Sequence, residues 1–318
     1  MSIDSIQRIA LVGAGDMGHG LAVQFAAHGR DVTLLDHRQS NLDRANDRMS
    51  EAASFLSERG RLEEPPETVL GRIETTLDLD AVAGAGLVVE SISEDLDAKR
   101  ALFERLVAAA DDDAVLASNT SGIPITDIAE ATPDAADRIV GCHWWFPPYL
   151  LEPVEIIRGE ATADRTVDRL AELLEAVDRD PIRVERDVPG FVWNRVQFAV
   201  VRECLHLAEA GVASLDDINR AIRDGYAVRT SAIGPLETMD IAGLELAETI
   251  ARDLYPELSD ADEPGPELTE RVADGRTGIG TGEGFFTYER SPDEITGRRD
   301  ELVAAVQSAL EETRDGSE

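Results

Sequence analysis

The sequence predicts a doubly wound α/β domain with a mostly parallel sheet, followed by an all-α domain. As far as residue 184, short apolar runs alternate with amphipathic segments, as strands and helices do in a parallel sheet. From Gly190 onward every regular segment has helical spacing. The pattern changes at residues 187–190, so we predict one domain over residues 1–187 and a second over residues 188–318. A chain of 318 residues is long enough for two cores.

The first domain is organised around a glycine-rich turn near the N-terminus. The apolar run at residues 9–12 ends in Gly13-x-Gly15-x-x-Gly18, and a helical pattern follows over residues 21–26. A strand, a tight turn and a helix start in this order present free N–H groups and a positive dipole to a phosphate. Gly13 permits the turn, Gly15 lets a pyrophosphate approach the backbone, and Gly18 lets the helix pack on the strand.

A second apolar strand at residues 32–35 ends at Asp36, about 20 residues past the glycines. A Rossmann-type fold places the acceptor for the ribose hydroxyl of its dinucleotide at this position. The turn and the acid together predict bound NAD, since a carboxylate repels the 2′-phosphate of NADP. Arg38 keeps NADP open as an alternative, and a βαβ unit without any ligand is the other interpretation of the pattern.

The remaining segments continue the alternation and then become helical. In the first domain we predict a helix or helix pair at 40–62, a short helix or turn at 68–73, and helices at 98–110, 125–131 and 162–177. We predict strands there at 73–77, 87–90, 114–117, 138–142, 154–157 and 181–184. In the second we predict helices at 191–210, 215–222, 236–254 and 300–312, with an exposed loop at 257–266.

The composition argues against several classes of function. A net charge of −34 disfavours nucleic acid and anionic lipid as partners, and the chain has no run of 18 apolar residues that would predict a membrane span. We see no secretory signal, and two cysteines are too few for a disulfide framework, so we expect a cytoplasmic protein. Of the 30 basic residues all but Lys99 are arginine. An acidic surface nearly free of lysine resembles proteins adapted to molar salt, which suggests a halophilic source.

One histidine stands where chemistry on NAD would need a proton donor and acceptor. Hydride transfer requires a group that takes or returns the hydroxyl proton, and histidine suits this role at neutral pH. Of the five histidines, only His143 follows a strand at the edge where such sheets bind ligands. Glu155 lies inside the next apolar strand, where a charge is costly without a partner. We therefore predict that Glu155 pairs with His143; a structural histidine with a solvent-facing Glu155 is the alternative.

Two further polar positions are candidates for substrate contacts. The turn Ser118-Asn119-Thr120-Ser121-Gly122 closes a strand at the same edge, although a polar turn of this kind is also a common helix entry. Asn194 opens the helical domain among apolar residues, where its amide needs hydrogen-bond partners that a substrate can supply.

With these residues in view, the chain resembles the 3-hydroxyacyl-CoA dehydrogenase family, including its branch with lambda-crystallin and carnitine dehydrogenase. The matching pieces follow the family order along nearly the whole chain: Gly13-x-Gly15-x-x-Gly18, Asp36, Val88-Val89-Glu90-x-x-x-Glu94, Lys99, Ser118-Asn119-Thr120-Ser121, His143, Pro147, Val154-Glu155, Pro189-Gly190-Phe191-Val192-x-Asn194-Arg195, Gly234-Pro235-Leu236-Glu237 and Thr281-Gly282-x-Gly284-Phe285.

The resemblance implies a Rossmann domain, a helical dimerisation domain, and NAD-linked oxidation of an L-3-hydroxyl group as in fatty acid metabolism. It makes His143 the acid/base, Glu155 its orienting partner, and Ser121 and Asn194 contacts of the substrate. It also implies that five residues lie at the cofactor beside the glycines and Asp36, namely Asp16, Met17, Glu94, Lys99 and Asn119.

Two features leave the substrate open between a 3-hydroxyacyl-CoA and a free 3-hydroxy acid. The family commonly has Asn before the proline that follows its histidine, and this chain has Phe146. Arg229 matches an arginine of the lambda-crystallin and carnitine branch and would clamp a free carboxylate, although a surface arginine is nearly as good an interpretation. Four arginines around the second helix would serve either a CoA tail or the balance of charge: Arg48, Arg59, Arg61 and Arg72. A non-catalytic, crystallin-like NAD-binding protein is the alternative of another class.

Overall fold

The computed structural model describes residues 6–315, and the chain forms two compact units that divide between Asn194 and Arg195. This division falls a few residues later than the boundary predicted from the sequence pattern. The reason is packing: Phe191 is buried in the apolar core of the first unit. The backbone N–H groups of Val192 and Trp193 donate to Glu155 of the same unit.

The first unit is built on one eight-stranded sheet. Its strands are β1 Arg8–Val12, β2 Asp31–Leu35, β3 Ile73–Thr76, β4 Leu87–Glu90, β5 Val115–Ser118, β6 Ile139–Trp144, β7 Pro153–Ile157 and β8 Asp180–Val184. They lie in the order β3-β2-β1-β4-β5-β6-β7-β8. Every pairing is parallel except β6 with β7, which is antiparallel. The predicted doubly wound, mostly parallel sheet is confirmed.

Helices cover this sheet and bury its centre. They are α1 Gly18–Ala27, α2 Gln39–Glu58, α3 Pro66–Leu70, α4 Leu96–Ala109, α5 Ile125–Ala129 and α6 Asp164–Glu175. Strands β4, β5 and β6 are buried at every residue, as their continuous apolar sequences indicate for strands covered on both faces. The core therefore lies around the strands whose ends carry the candidate site residues.

The second unit is helical. Its helices are α7 Trp193–Glu209, which begins in the first unit, α8 Leu215–Ala221, α9 Ala227–Ile233, α10 Pro235–Ala242, α11 Leu244–Leu254, α12 Pro266–Ala273 and α13 Pro292–Asp315. A π-helical turn over Ile222–Tyr226 joins α8 to α9, so the helix predicted at 215–222 continues further than expected.

Three helices of the second unit differ from the prediction. The single helix predicted at 236–254 is two, because Gly243 has a φ of 93° and ends α10. The sequence interpretation missed α12, which starts after a glycine at Pro266 and is only eight residues long. The last helix was predicted to begin at residue 300, whereas α13 begins at Pro292. None of the described helices combines the length and the apolar character needed to cross a membrane.

The parallel strands bring their carboxyl ends to one edge of the sheet. Backbone hydrogen bonds join neighbouring ends there: Gly13 N–H donates to the Leu35 carbonyl over 2.8 Å, and Ser91 N–H donates to the Val12 carbonyl over 2.8 Å. The glycine turn, Asp36, and the segments after β4 and β5 therefore lie next to one another at this edge.

Candidate active site

The glycine turn has the geometry that a pyrophosphate needs. Gly13 has a φ of 115°, and a Cβ there would lie 2.3 Å from the Ser91 carbonyl oxygen. A Cβ on Gly18 would lie 1.9 Å from the Gly13 carbonyl oxygen, whereas one on Gly15 would meet nothing within 4 Å. Helix α1 has neither a side-chain cap nor an acid in its first turn. The turn thus leaves open space beside a helix N-terminus whose N–H groups are suited to an anion.

Asp36 follows β2 beside this turn, and its carboxylate is held by three hydrogen bonds. Ala14 N–H donates to Oδ2 over 2.9 Å, while Arg38 N–H and the Asn41 amide donate to Oδ1 over 3.0 and 2.9 Å. Burial raises the pKa of Asp36, but these hydrogen bonds outweigh burial and hold the pKa below its ordinary value. The acid is therefore ionised at neutral pH.

A pocket of about 270 Å³ opens beside Asp36 and the glycine turn. Apolar side chains and a few polar ones line it, among them Asp36, His37, Leu77, Leu79, Ile92 and Arg105. An apolar pocket beside a ribose acceptor and an open phosphate turn suits the adenosine half of NAD. Of the other residues predicted at the cofactor, Asp16 is exposed and forms an ion pair with Arg48, and Met17 is half-buried at the N-cap of α1.

The structure brings His143 and Glu155 together across β6 and β7. The antiparallel register places the two residues directly opposite each other. His143 Nδ1 donates to Glu155 Oε2 over 2.7 Å, and both side chains are buried. Because the carboxylate accepts at Nδ1, Nε2 is the ring nitrogen left to exchange a proton.

The second oxygen of Glu155 is held by the backbone. Val192 N–H and Trp193 N–H donate to Oε1 over 2.9 and 3.0 Å. Burial raises the pKa of Glu155, but the hydrogen bonds from His143 and from these two backbone groups outweigh burial and lower it. The ring of Phe191 lies 5.8 Å from the His143 ring, centroid to centroid. The ionised carboxylate and the neighbouring ring hold the imidazole in one orientation.

Lys99 is buried beside two glutamates. Its side chain is only 1% exposed, and its ammonium donates to Glu90 Oε1 over 2.6 Å and lies 3.4 Å from Glu94 Oε2. Glu90 is fully buried at the end of β4 and also accepts from Ser118 Oγ over 2.6 Å. The ammonium group of Lys99 links the carboxylates of Glu90 and Glu94.

Glu94 in turn holds the polar turn that follows β5. Its Oε1 accepts from Thr120 Oγ1 over 2.5 Å and from Ser121 N–H over 2.8 Å. Burial raises the pKa of Glu94, but its hydrogen bond from Thr120 and the charge of Lys99 outweigh burial and lower it. The Asn194 amide donates to the Ser121 carbonyl over 2.7 Å. Ser121 and Asn194 are therefore adjacent.

Asn119 uses both ends of its amide within the protein. Its Oδ1 accepts from Trp144 N–H over 2.9 Å, and its Nδ2 donates to Ser91 Oγ over 3.2 Å. It ties the ends of β4 and β6 together with little exposed surface. Arg229 lies on α9 in the second unit, where it is exposed and forms no ion pair within the described residues.

The sequence interpretation assigned no site role to Glu90, Phe191 or the backbone N–H groups at 192 and 193. For Glu90 a signal was present, because it is a charged residue closing the apolar run Leu87-Val88-Val89, as Glu155 is a charged residue inside one. For the backbone N–H groups the sequence contains no such signal, because their role depends on the turn at Gly190 and Phe191, both of which have positive φ.

Comparison with known proteins agrees with the resemblance. A family model described as the NAD binding domain of 3-hydroxyacyl-CoA dehydrogenase matches residues 8–188, and the model of the C-terminal domain of the same enzyme matches residues 190–288.

Full-length relatives differ in the substrates that their names give. The 5-formyl-3-hydroxy-2-methylpyridine 4-carboxylate 5-dehydrogenase of Mesorhizobium japonicum is 34% identical over 310 residues, which are 96% of this chain and 99% of the relative. A probable 3-hydroxybutyryl-CoA dehydrogenase of Deinococcus radiodurans is 37% identical over 282 residues, or 88% of this chain and all of the relative. A solved structure of the pyridine carboxylate enzyme, described as an NAD⁺-dependent dismutase, superposes with a TM-score of 0.90 at 33% identity and covers 96% of this chain and 99% of its own.

Gly15 and Gly18 should respond differently to substitution by alanine. We expect Gly18→Ala to lower the free energy of unfolding by about 1–3 kcal/mol or more, because the new methyl group meets backbone. Gly15→Ala should change it by less than about 0.5 kcal/mol yet weaken NADH binding, because its methyl group fills the open space. Chemical denaturation and calorimetric titration with NADH measure the two effects. Equal unfolding free energies for the two variants would contradict the assignment.

The stability supplied by Glu155 should depend on pH. Its folded-state pKa lies below the ordinary 4.5, so its contribution is complete above about pH 4.5 and is lost as the pH falls through the folded value. We expect Glu155→Gln to lower the free energy of unfolding by about 1–3 kcal/mol at neutral pH and by less at about pH 3. Denaturation across this range tests it, with Glu175→Gln on the surface of α6 as the matched control. A difference independent of pH would contradict an ionised, hydrogen-bonded Glu155.

Proposed function

This chain belongs to the 3-hydroxyacyl-CoA dehydrogenase family of NAD-dependent oxidoreductases that act on CH–OH groups, and we propose that it oxidises the hydroxyl group of a small free acid. The observation that carries the proposal is the buried hydrogen bond between His143 and Glu155 at the edge of an NAD-binding sheet. We propose His143 as the acid/base and Glu155 as the group that orients it.

The two residues divide the proton chemistry between them. The Nδ1–H of His143 donates to the ionised Glu155, so Nε2 takes the hydroxyl proton during oxidation and returns it during reduction. The carboxylate stabilises the imidazolium that forms, as the acid of a catalytic triad does. NAD, when bound, supplies the acceptor for the hydride that leaves the same carbon.

The cofactor would be held by the turn and the acid described above. Gly13, Gly15 and Gly18 leave room for the pyrophosphate, and Asp36 offers an acceptor to the adenosine ribose. The ionised Asp36 favours NAD over NADP by repelling a 2′-phosphate. Among Glu90, Glu94 and Lys99, Glu94 has the exposed side chain, so it would contact the cofactor. The buried ammonium of Lys99 would fix its carboxylate.

Ser121 and Asn194 would contact the substrate from one side of the site. Glu94 fixes the backbone of Ser121, and Asn194 holds its carbonyl group. The exposed hydroxyl of Ser121 then projects from a rigid turn, which suits a group that hydrogen-bonds to the reacting oxygen.

Three observations favour a free acid over an acyl-CoA. The relative that covers nearly the whole of both chains is named for a carboxylate substrate. Of the arginines near α2, Arg48 pairs with Asp16, and Arg72 pairs with Glu64 over 2.5 Å. Arg59 lies 3.7 Å above the Phe55 ring, so this surface offers little free positive charge to the phosphates of CoA.

We propose Arg229 as the anchor of the substrate carboxylate. It is exposed and without an ion pair among residues 6–315, although acids outnumber bases on this chain 64 to 30. An arginine fork binds a carboxylate through two parallel hydrogen bonds.

A purely structural, crystallin-like role is the alternative of another class. It gives no reason to keep a buried histidine–carboxylate pair, since burying such a pair costs free energy that apolar residues would save. The intact pair therefore favours the enzyme.

We propose that the chain acts as a homodimer through its helical unit. Helices α7 and α11 are amphipathic yet bury no residue, and large apolar side chains such as Phe198, Ile241, Leu246 and Ile250 are exposed. Apolar surface of this extent is typical of an interface between subunits. Sedimentation equilibrium tests this proposal, and a monomer at micromolar concentration contradicts it.

We further propose a halophilic protein in a reducing, cytoplasmic compartment. Its net charge of −34 is self-repelling in dilute salt, and both cysteines are free. The Tm should rise between about 0.1 M and about 3 M KCl as the charges are screened. A Tm that stays constant or falls would contradict this adaptation.

The substrate class is tested by a direct comparison. With NADH, the enzyme should reduce members of a panel of free keto and formyl acids, and should leave acetoacetyl-CoA unreduced. Turnover of acetoacetyl-CoA without turnover of any free acid would contradict the proposal.

Arg229→Ala should raise the KM for the best acid about 10- to 100-fold with a smaller change in kcat, because it removes two charge-assisted hydrogen bonds. Arg223→Ala, which removes an exposed arginine already paired with Asp224, is the matched control.

A further inference from the structure

Two tryptophans are stacked beside the His143–Glu155 pair. The rings of Trp145 and Trp193 lie 3.9 Å apart, centroid to centroid, at 21° to each other. The chain has only three tryptophans, and the third is Trp144. A stacked pair of indoles is rigid and flat, because each ring limits the rotation of the other.

Trp145 follows the last residue of β6 and lies two positions after His143. Within β6 the side chains alternate, so Trp144 faces the side of the sheet opposite to His143. Trp144 accordingly donates to Cys142 Sγ over 3.1 Å and contacts the Phe25 ring edge-on at 5.5 Å. Trp193 reaches the pair through its backbone, whose N–H donates to Glu155. Trp145 thus follows His143 by two residues, and the backbone of Trp193 contacts Glu155.

Part of this aromatic surface is open. Trp193 is 37% exposed, and the neighbouring Phe146 is 42% exposed, although large apolar side chains of a folded unit are usually buried. Within the described part of the chain, the buried indole N–H of Trp145 has no hydrogen-bond acceptor. A buried donor without an acceptor destabilises a protein, so stacking on Trp193 rather than a hydrogen bond sets the orientation of Trp145. Neither the exposed rings of Trp193 and Phe146 nor the indole N–H of Trp145 without an acceptor stabilises the fold.

We propose that the exposed surface of Trp193, together with Phe146, binds a flat aromatic or heteroaromatic ring of the substrate, next to the carbon that His143 serves. This proposal rests on the proposed function and narrows it to acids whose oxidisable carbon is attached to such a ring. A flat ring stacks on an indole with the offset geometry that aromatic quadrupoles favour, and a puckered aliphatic ring does not. Trp193 and Phe146 are thereby residues that determine specificity.

Calorimetric titration with two unreactive acids tests the proposal. Benzoate and cyclohexanecarboxylate have the same charge and ring size, but only benzoate is flat. We expect the full chain to bind benzoate about 10-fold more tightly. Trp193→Leu should bring the two affinities to within about twofold, since it removes the indole and keeps the backbone N–H that Glu155 needs. Tyr255→Leu, which removes an exposed aromatic ring that follows α11, is the control and should keep the preference.

A second measurement covers the case in which Trp193→Leu does not fold. Benzoate should then quench the tryptophan emission of the unmodified protein saturably, while cyclohexanecarboxylate leaves it unchanged. Equal affinities for the two acids, or a preference that survives Trp193→Leu, would overturn the ring site. NADH titration of the same sample reports the proposed function separately. NADH binding with equal acid affinities overturns the ring site alone, whereas a ring preference without NADH binding overturns the dehydrogenase.

Discussion

The hydrogen bond between His143 and Glu155 is the interaction on which the rest of the site depends. A carboxylate buried in a sheet is stable only if hydrogen-bond donors replace the water that both of its oxygens would otherwise bind. Glu155 meets this condition with the His143 ring on one oxygen and two backbone N–H groups on the other. Those two groups belong to the turn at which α7 begins. The start of α7 therefore supplies two of the hydrogen bonds that stabilise the ionised Glu155.

A second group of charges joins the end of β4 to the turn that follows β5. Glu90, at the end of β4, receives Lys99 and Ser118, and Lys99 lies between it and Glu94. Glu94 then holds the backbone around Ser121. Removing one member of such a buried group costs about 3–5 kcal/mol because its partner is left charged and unpaired. The single lysine of the chain, whose other basic residues are all arginine, lies at the centre of this group as a compact ammonium.

Local features of the sequence predict the sheet, the glycine turn with Asp36, and the pairing of His143 with Glu155. The glycine spacing and Asp36 depend on one βαβ unit, so they can be recognised without knowledge of the fold, and the charge inside the strand at Glu155 predicts its pairing with His143. The burial of Lys99 was not predicted, because it depends on Glu90, which lies on a different element. The break at Gly243 was missed because apolar spacing continues across it, and helix α12 was missed because it is short. The antiparallel pairing of β7 with β6, which places His143 opposite Glu155, has no signal in the local sequence.

The central claim is that His143, held by Glu155, exchanges the substrate proton. It is tested most directly by turnover and NADH binding of His143→Ala, measured side by side. The account predicts a loss of turnover of about 100-fold or more, as expected for a missing acid/base, with NADH affinity within about threefold of the unmodified protein. Turnover that persists in a variant that still binds NADH would contradict it.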